Sequence, residues 1–254
     1  MTDDTRLQLL EKRHSVRSFT DKPVEPSVIN KLKAAVTMVN THEQGLKFQV
    51  ITNDPEPLKG FSKSYGMFIN PRNYIAAVVD TGTPDVYERA GYFAEQIVIK
   101  AVEAGLSTCF VGGTYDAKTV KAQLRAGEKI LFLILFGYEG EKSRPVASLM
   151  AKLVHRKKMA PEVFFTPASD ISQGLEIFPD LMTGLKAVAC APSALNRRKT
   201  RLFLRTINGK ECICAKVDNP DSGLLIDLGI AKFNFNYATS TLCEWGNEAP
   251  LTTD

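Results

Sequence analysis

The sequence has no uninterrupted run of about 18 apolar residues, the length a membrane-crossing helix requires, so no membrane span is expected. Its most apolar stretch, "ILFLILFGY" from Ile130 to Tyr138, has the length of a strand. The beginning, "MTDDTRLQLLEKR", lacks an apolar core ahead of a cleavage site, so no signal peptide is expected. Cysteines are few and odd in number: Cys109, Cys190, Cys212, Cys214 and Cys243. With no export signal, this usage argues for reduced thiols and a cytoplasmic protein. Histidine is scarcer still. His14, His42 and His155 are scattered, and none belongs to an H-E-x-x-H or related pattern, so no metal site is expected. Cys212 and Cys214 in "ECICAKV" would share one face of a strand, and with no second ligand pair they are read as structural. No G-x-G-x-x-G opens a helix after a strand, which argues against a dedicated dinucleotide domain. No Ser-His-Asp or Cys-His pattern is present either, so no side-chain nucleophile is assigned. Charge of one sign is also lacking. Thirty-two Lys and Arg face 28 Asp and Glu, a formal net charge of +4, too weak alone to imply nucleic acid and compatible with a small anionic ligand.

What is present suits a globular α+β protein. At roughly 150 residues per domain, 254 residues allow one large domain or two small ones with a sizeable core. A short helix is expected over Thr5–Arg13, and a second opens at Pro26-Ser27 with Val28, Ile29, Leu32, Ala35 and Val36 on one face. "LKFQVITND" and "YIAAVVDTG" read as strands. A long helix from about Asp85 to Ala104 ends at Gly105, as a C-cap glycine would end it. "STCFVGG" is a short buried strand, "DAKTVKAQL" a helix with Asp116 as N-cap, and "KILFLILFGY" a strand central in its sheet. A less regular region follows, then a helix leading into "APSALNRR". Asn208-Gly209 marks a hairpin between "TRLFLRTI" and "KECICAKVD", and a last helix spans about Gly223 to Leu242.

The two ends of the chain repeat one order. "LKAAVTMVNTHEQGLKFQVI" and "LKAVACAPSALNRRKTRLFL" both read helix, polar loop, strand, and each is followed by a second strand and a long helix containing a glycine. Two degenerate pseudo-repeats are expected, and such a chain would do alone what a symmetric dimer does with two.

Three stretches are suited to gripping a ligand. In "KRHSVRSF", Arg13, Ser15 and Arg17 alternate, so an extended backbone points all three one way. Two planar guanidiniums and a hydroxyl suit a phosphate or a polar ring edge. In "FVGG", Gly112 and Gly113 let a backbone approach a flat ligand. "APSALN" offers Ser193, Asn196 and backbone amides, and Asn can meet donor and acceptor edges of a heterocycle. Arg156, Lys157 and Lys158 in "HRKK" form either a phosphate clamp or a solvated charge run.

Together, "RHSVRSF", the Gly-Gly after the strand, the basic segment beyond "LFGYEGE" and "APSALN" resemble the nitroreductase family of FMN-dependent oxidoreductases, in its single-chain fused form (the TM nitroreductase type). The resemblance implies a nitroreductase-like α+β fold, a mixed central sheet flanked by helices. It implies a first half at 1–145, a connecting segment at 146–175 and a second half at 176–254. It implies FMN held by Arg13, His14, Ser15, Arg17, Gly112, Gly113, Arg156, Lys158, Pro192, Ser193, Ala194 and Asn196, with the flavin and no side chain carrying the chemistry. Asn70–Tyr74 is a further candidate for a ring contact. NAD(P)H would be the reductant and a nitroaromatic or quinone the electron acceptor. The family's usual enzyme is a homodimer with flavin at the interface. Here the first half reads "MVNTHEQ" where the loop motif would stand, and the second half lacks the Arg-x-Ser-x-Arg segment. Each half thus keeps one part of a composite site, and a monomer is expected. Arg197, Arg198 and Lys199 stand where the family has "QPW", which puts acceptor specificity in question and hints at an anionic substrate. Two rival readings remain open: a flavin-binding or sensing protein without turnover, and a nucleic-acid binder resting on five cations between Arg197 and Arg205.

Overall fold

The computed structural model describes residues 3–141 and 159–252. Their order is α1 (Asp3–Lys12), α2 (Pro26–His42), β1 (Leu46–Ile51), the single turn α3 (Phe61–Ser64), β2 (Tyr74–Asp80), α4 (Val86–Glu103), β3 (Ser107–Val111), β4 (Glu128–Gly137), α5 (Ile171–Ile177), α6 (Leu181–Cys190), β5 (Arg201–Ile207), β6 (Lys210–Lys216) and α7 (Ser222–Thr239). The chain divides into two compact units that are not contiguous in sequence. A sheet unit takes the described residues of Arg13–Val86 and Ile97–His155. A hairpin unit takes those of Met1–Lys12, Tyr87–Gln96 and Arg156–Asp254.

In the sheet unit the strand order is β1-β2-β4-β3, every ladder antiparallel. Parallel pairing enters only through the isolated bridges Ser15↔Thr108 and Ser18↔Ile69. The apolar run expected to be central is interior, between β2 and β3, and Phe132–Phe136 are all buried. α2 starts on Pro26, whose missing N–H costs nothing in a first turn. It buries Leu32, Val36 and Val39, spaced four and three apart along one face. α4 ends as its glycine predicts: Gly105 has φ +80°, Gly105 N–H donates to Val102 O and Leu106 N–H to Ala101 O. The helix expected after Asp116 is cut to one 3-10 turn, Ala117–Thr119. Asp116 does cap the Lys118 N–H, at 3.1 Å. Beyond it the backbone bonds sideways instead of along a helix. Lys121 N–H donates to the Tyr74 hydroxyl at 3.1 Å and Gln123 N–H to Gln49 Oε1 at 2.9 Å.

In the hairpin unit β5 and β6 pair around Asn208 and Gly209, both with positive φ (52° and 79°), the geometry a two-residue hairpin turn needs. α7 is buried nearly all round, so its polar residues must find partners within the protein. Asn234 Nδ2 donates to Ala187 O and Asn236 Nδ2 to Leu251 O. Lys232, 1% exposed, lies 2.6 Å from Glu88 Oε1 and also donates to the carbonyls of Glu244 and Gly246. The Tyr87–Gln96 stretch of α4 crosses α7 through glycine. A Cβ on Gly91 would strike the carbonyl of Ile226, and one on Gly229 would strike the carbonyl of Glu88. Each glycine therefore meets the residue three before the other glycine, the reciprocity that two copies of one helix give about a two-fold axis.

Candidate functional site

The sheet unit carries the first gripping segment along an otherwise open edge. β3 pairs with β4 on one side. On its other side Val16 N–H donates to Thr108 O at 2.9 Å, so the segment covers a strand edge that would otherwise invite pairing. Downstream, Phe19 N–H donates to Ile69 O, Ile69 N–H to Arg17 O and Thr20 N–H to Tyr138 O. Val16, Ser18 and Phe19 are buried, and Val16 and Phe19 join the core cluster of Cys109, Val111, Leu133 and Leu135.

The extended backbone places Arg13, Ser15 and Arg17 at alternate positions along the β3 edge. Burial pushes the Cys109 thiol up from its ordinary pKa. Arg17, Arg13 and a hydrogen bond with Ser15 pull it back. His14 points elsewhere, with Nε2 3.2 Å from Glu139 and both side chains largely exposed. Gly112 and Gly113 follow β3 directly and are exposed, and a Cβ added to either would enter open space. Arg156 and Lys158 lie outside the described residues. Of the "NPRNY" stretch, Asn70 Nδ2 donates to Phe19 O at 3.2 Å, and Tyr74 is buried with its hydroxyl donating to Asp54 at 2.6 Å. Burial, then the Asp54 bond, raises the Tyr74 pKa.

The second segment belongs to the hairpin unit and is built differently. After α6, the chain passes Pro192 and folds on itself. Ser193 Oγ accepts from Arg198 N–H at 2.9 Å, Asn196 Oδ1 accepts from Arg198 Nε at 2.8 Å, and Asn196 N–H returns to Ser193 O. Leu195, Asn196 and Arg198 have φ of 51°, 53° and 51°, left-handed backbone that such local bonds must hold. The Ala194 N–H donates to both carboxylate oxygens of Asp227, at 3.0 and 3.1 Å. Ser193 Oγ and Asn196 Oδ1, both expected to face a ligand, thus bond within the loop, and the Ala194 amide ties it to α7. Asp227 is only 5% exposed, and burial pushes its carboxyl up to about 6 against the lowering effect of the Ala194 amide. A void of about 10 Å³ beside Ser193 and Asp227 has room for about one water. The cations after the loop are engaged too: Arg201 donates to the Arg198 and Thr200 carbonyls and lies over Phe164, and Arg205 pairs with Glu248.

Asp227 was not singled out in the sequence. The signal was a carboxylate inside the apolar run "LLIDLGIA", where nothing in the spacing names its partner.

Comparison with known proteins places this geometry. A "putative nitroreductase" from Thermotoga maritima MSB8 aligns at 20% identity over 94% of this chain and 83% of its own, with a TM-score of 0.57, which shows the fold. An FMN-dependent nitroreductase from Clostridium difficile R20291 aligns at 23% identity over 59% of this chain and 98% of its own, TM-score 0.43. A nitroreductase with bound FMN from Desulfitobacterium hafniense DCB-2 aligns at 15% identity over 57% and 93%, TM-score 0.46. No curated protein matches the chain. Among the described residues, no helix is long and apolar enough to cross a membrane. The family model described as "Putative TM nitroreductase" matches residues 6–239, and the chain belongs to that family.

Proposed function

We propose that the protein is an FMN-dependent oxidoreductase that oxidises NAD(P)H and reduces nitroaromatic or quinone-type acceptors. The observation that carries the reading is the extended Arg13–Arg17 segment laid along the β3 edge, with Ser15 bridged to Thr108 and Val16 N–H bonded to Thr108 O, in a chain of nitroreductase family. The residues fit the cofactor. Two guanidiniums and a hydroxyl suit a phosphate or the electron-rich edge of a flavin. The space a Cβ would fill at Gly112 and Gly113 lets a planar ring lie close to backbone.

The chemistry bound FMN supplies is hydride acceptance from the nicotinamide and electron delivery to the acceptor. This chain's own residues bind and bias. The Arg13–Arg17 segment holds anionic character and stabilises the charge that gathers on reduction. The Pro192–Asn196 loop, in its own unit, supplies backbone contour and amides suited to a heterocycle. The reciprocal α4–α7 crossing supports an internal duplication, and with it a monomer in the cytoplasm standing in for a dimer.

The visible spectrum of the purified protein tests the reading first, followed by FMN affinity of the Arg13→Ala and Arg17→Ala variants. Charged hydrogen bonds contribute roughly 1.5–3 kcal/mol, so each variant should bind FMN roughly 10- to 100-fold more weakly. Undiminished flavin in both variants would refute the assigned site. Flavin binding without NAD(P)H oxidation in the presence of menadione or nitrofurazone would reduce the protein to a flavin-binding or sensing module.

A further inference from the structure

The sheet unit holds a polar cavity that includes none of Arg13, His14, Ser15, Arg17, Gly112 and Gly113, though Asn70, Arg72 and Asn73 of the further ring-contact candidate line it. Its volume is about 320 Å³, within the range of small-molecule sites. Three cations line it, Lys22, Lys33 and Arg72, against one acid, Asp21. Lys22 Nζ sits 4.5 Å from the centre of the Tyr138 ring, and none of the three cations has an ion-pair partner among the described residues. Like charges around one cavity repel, so their grouping is unfavourable until an anion arrives. The first turn of the 17-residue helix α2 also lines the cavity, and no side chain caps its amides, so the positive end of the helix dipole adds to the field.

Thr20 supplies an independent sign. Its backbone N–H is fixed on Tyr138 O at 2.9 Å, yet its Oγ1 is buried with no hydrogen-bond partner. Thr20 lines the cavity. A hydroxyl shut off from water and left unbonded is costly, and a ligand oxygen in the cavity would satisfy it. Phe19, only 4% exposed, forms an apolar wall.

We propose that this cavity binds a small organic oxyanion, a phosphate or carboxylate. Arg72 is its forked donor, Lys22 and Lys33 are its charges, and the Thr20 hydroxyl is its buried donor. The site does not rest on the flavin reading.

The test is amide chemical-shift titration of the full-length, isotope-labelled chain in excess FMN. Sodium pyrophosphate and sodium malonate serve as probes at constant ionic strength. Saturable shifts at Thr20, Lys22, Asn30 and Arg72 are expected. Arg72→Ala should weaken the binding at least tenfold while leaving the remaining spectrum in place, and Thr20→Val should weaken it without altering cavity charge. Saturation by pyrophosphate alone assigns a phosphate ligand, and saturation by malonate alone a carboxylate. Shifts that never saturate, that are confined to Arg13–Arg17, or that survive Arg72→Ala unchanged would overturn the proposal.

Discussion

The two gripping segments solve one problem in opposite ways. Residues 13–20 run straight, without a positive φ, and are pinned through their backbone to β3, to Ile69 and to Tyr138. Their side chains alternate along that edge, Arg13, Ser15 and Arg17 on one side of the extended backbone. Residues 193–198 are knotted, with three left-handed residues, and are held through their own side chains and through Asp227. The first segment presents functional groups from a rigid edge, whereas the second presents a contour.

The comparison is broken most severely at Lys232, which frames only the second segment. It lies five residues beyond Asp227 on α7 and fastens α7 to Glu88 and to the Glu244 and Gly246 carbonyls. Lys232→Ala leaves Glu88 buried and uncompensated and should cost roughly 3–5 kcal/mol in denaturant unfolding. Pairing Lys232→Met with Glu88→Gln should recover much of that loss. A cost below about 1 kcal/mol, the range of an exposed pair, would show that water reaches the ion pair and that the helix frame is not set by it.

Asp227 sharpens the comparison through pH. Its carboxyl stands near 6 in the folded chain, against an ordinary 3.8, because burial disfavours the charge. The folded protein therefore binds the proton more tightly than the unfolded chain. Asp227's contribution to stability is fully present below pH 3.8 and is lost as pH rises through about 6. A shift of about two pH units corresponds to roughly 3 kcal/mol. Asp227→Asn keeps an acceptor for the Ala194 amide and does not ionise, so it should be more stable than wild type at pH 7 by up to that amount. The gap should close below pH 4. Equal stabilities at pH 7 would mean the carboxylate is better solvated than its burial indicates.

The particulars above show where sequence suffices. Period-two spacing of Arg13, Ser15 and Arg17 matches the straight backbone the segment adopts, because an extended chain converts alternation directly into direction. Asn208-Gly209 was enough for the hairpin, since few dipeptides tolerate its backbone. The long α4 and its glycine cap were legible for the same local reason. What failed was decided by distant partners. The helix after Asp116 lost its continuation to Tyr74 and Gln49, some 45 to 75 residues earlier in the chain. A nearby partner was missed too: Arg198 bonds both Ser193 and Asn196, two to five residues away, because left-handed backbone at Leu195, Asn196 and Arg198 folds the loop back. Asp227 stayed hidden because its partner is one backbone amide 33 residues earlier in the chain.

The smallest effect separates the two designs most cleanly. Ser193→Ala removes the acceptor for the Arg198 N–H and should cost about 1 kcal/mol of stability, while loosening a contour that depends on that bond. His14→Ala removes an exposed pair with Glu139 and should change stability by less than about 0.5 kcal/mol. The same two variants titrated with FMN then read function apart from folding. If the straight segment delivers groups, His14→Ala weakens binding with no stability change, and any loss belongs to the imidazole itself. If the knotted segment delivers shape, Ser193→Ala lowers affinity and stability together, and Ser193→Thr, which keeps the acceptor oxygen, restores both. Affinity lost in Ser193→Ala with stability intact would instead make the Ser193 hydroxyl a direct ligand contact, and the two segments would then work alike.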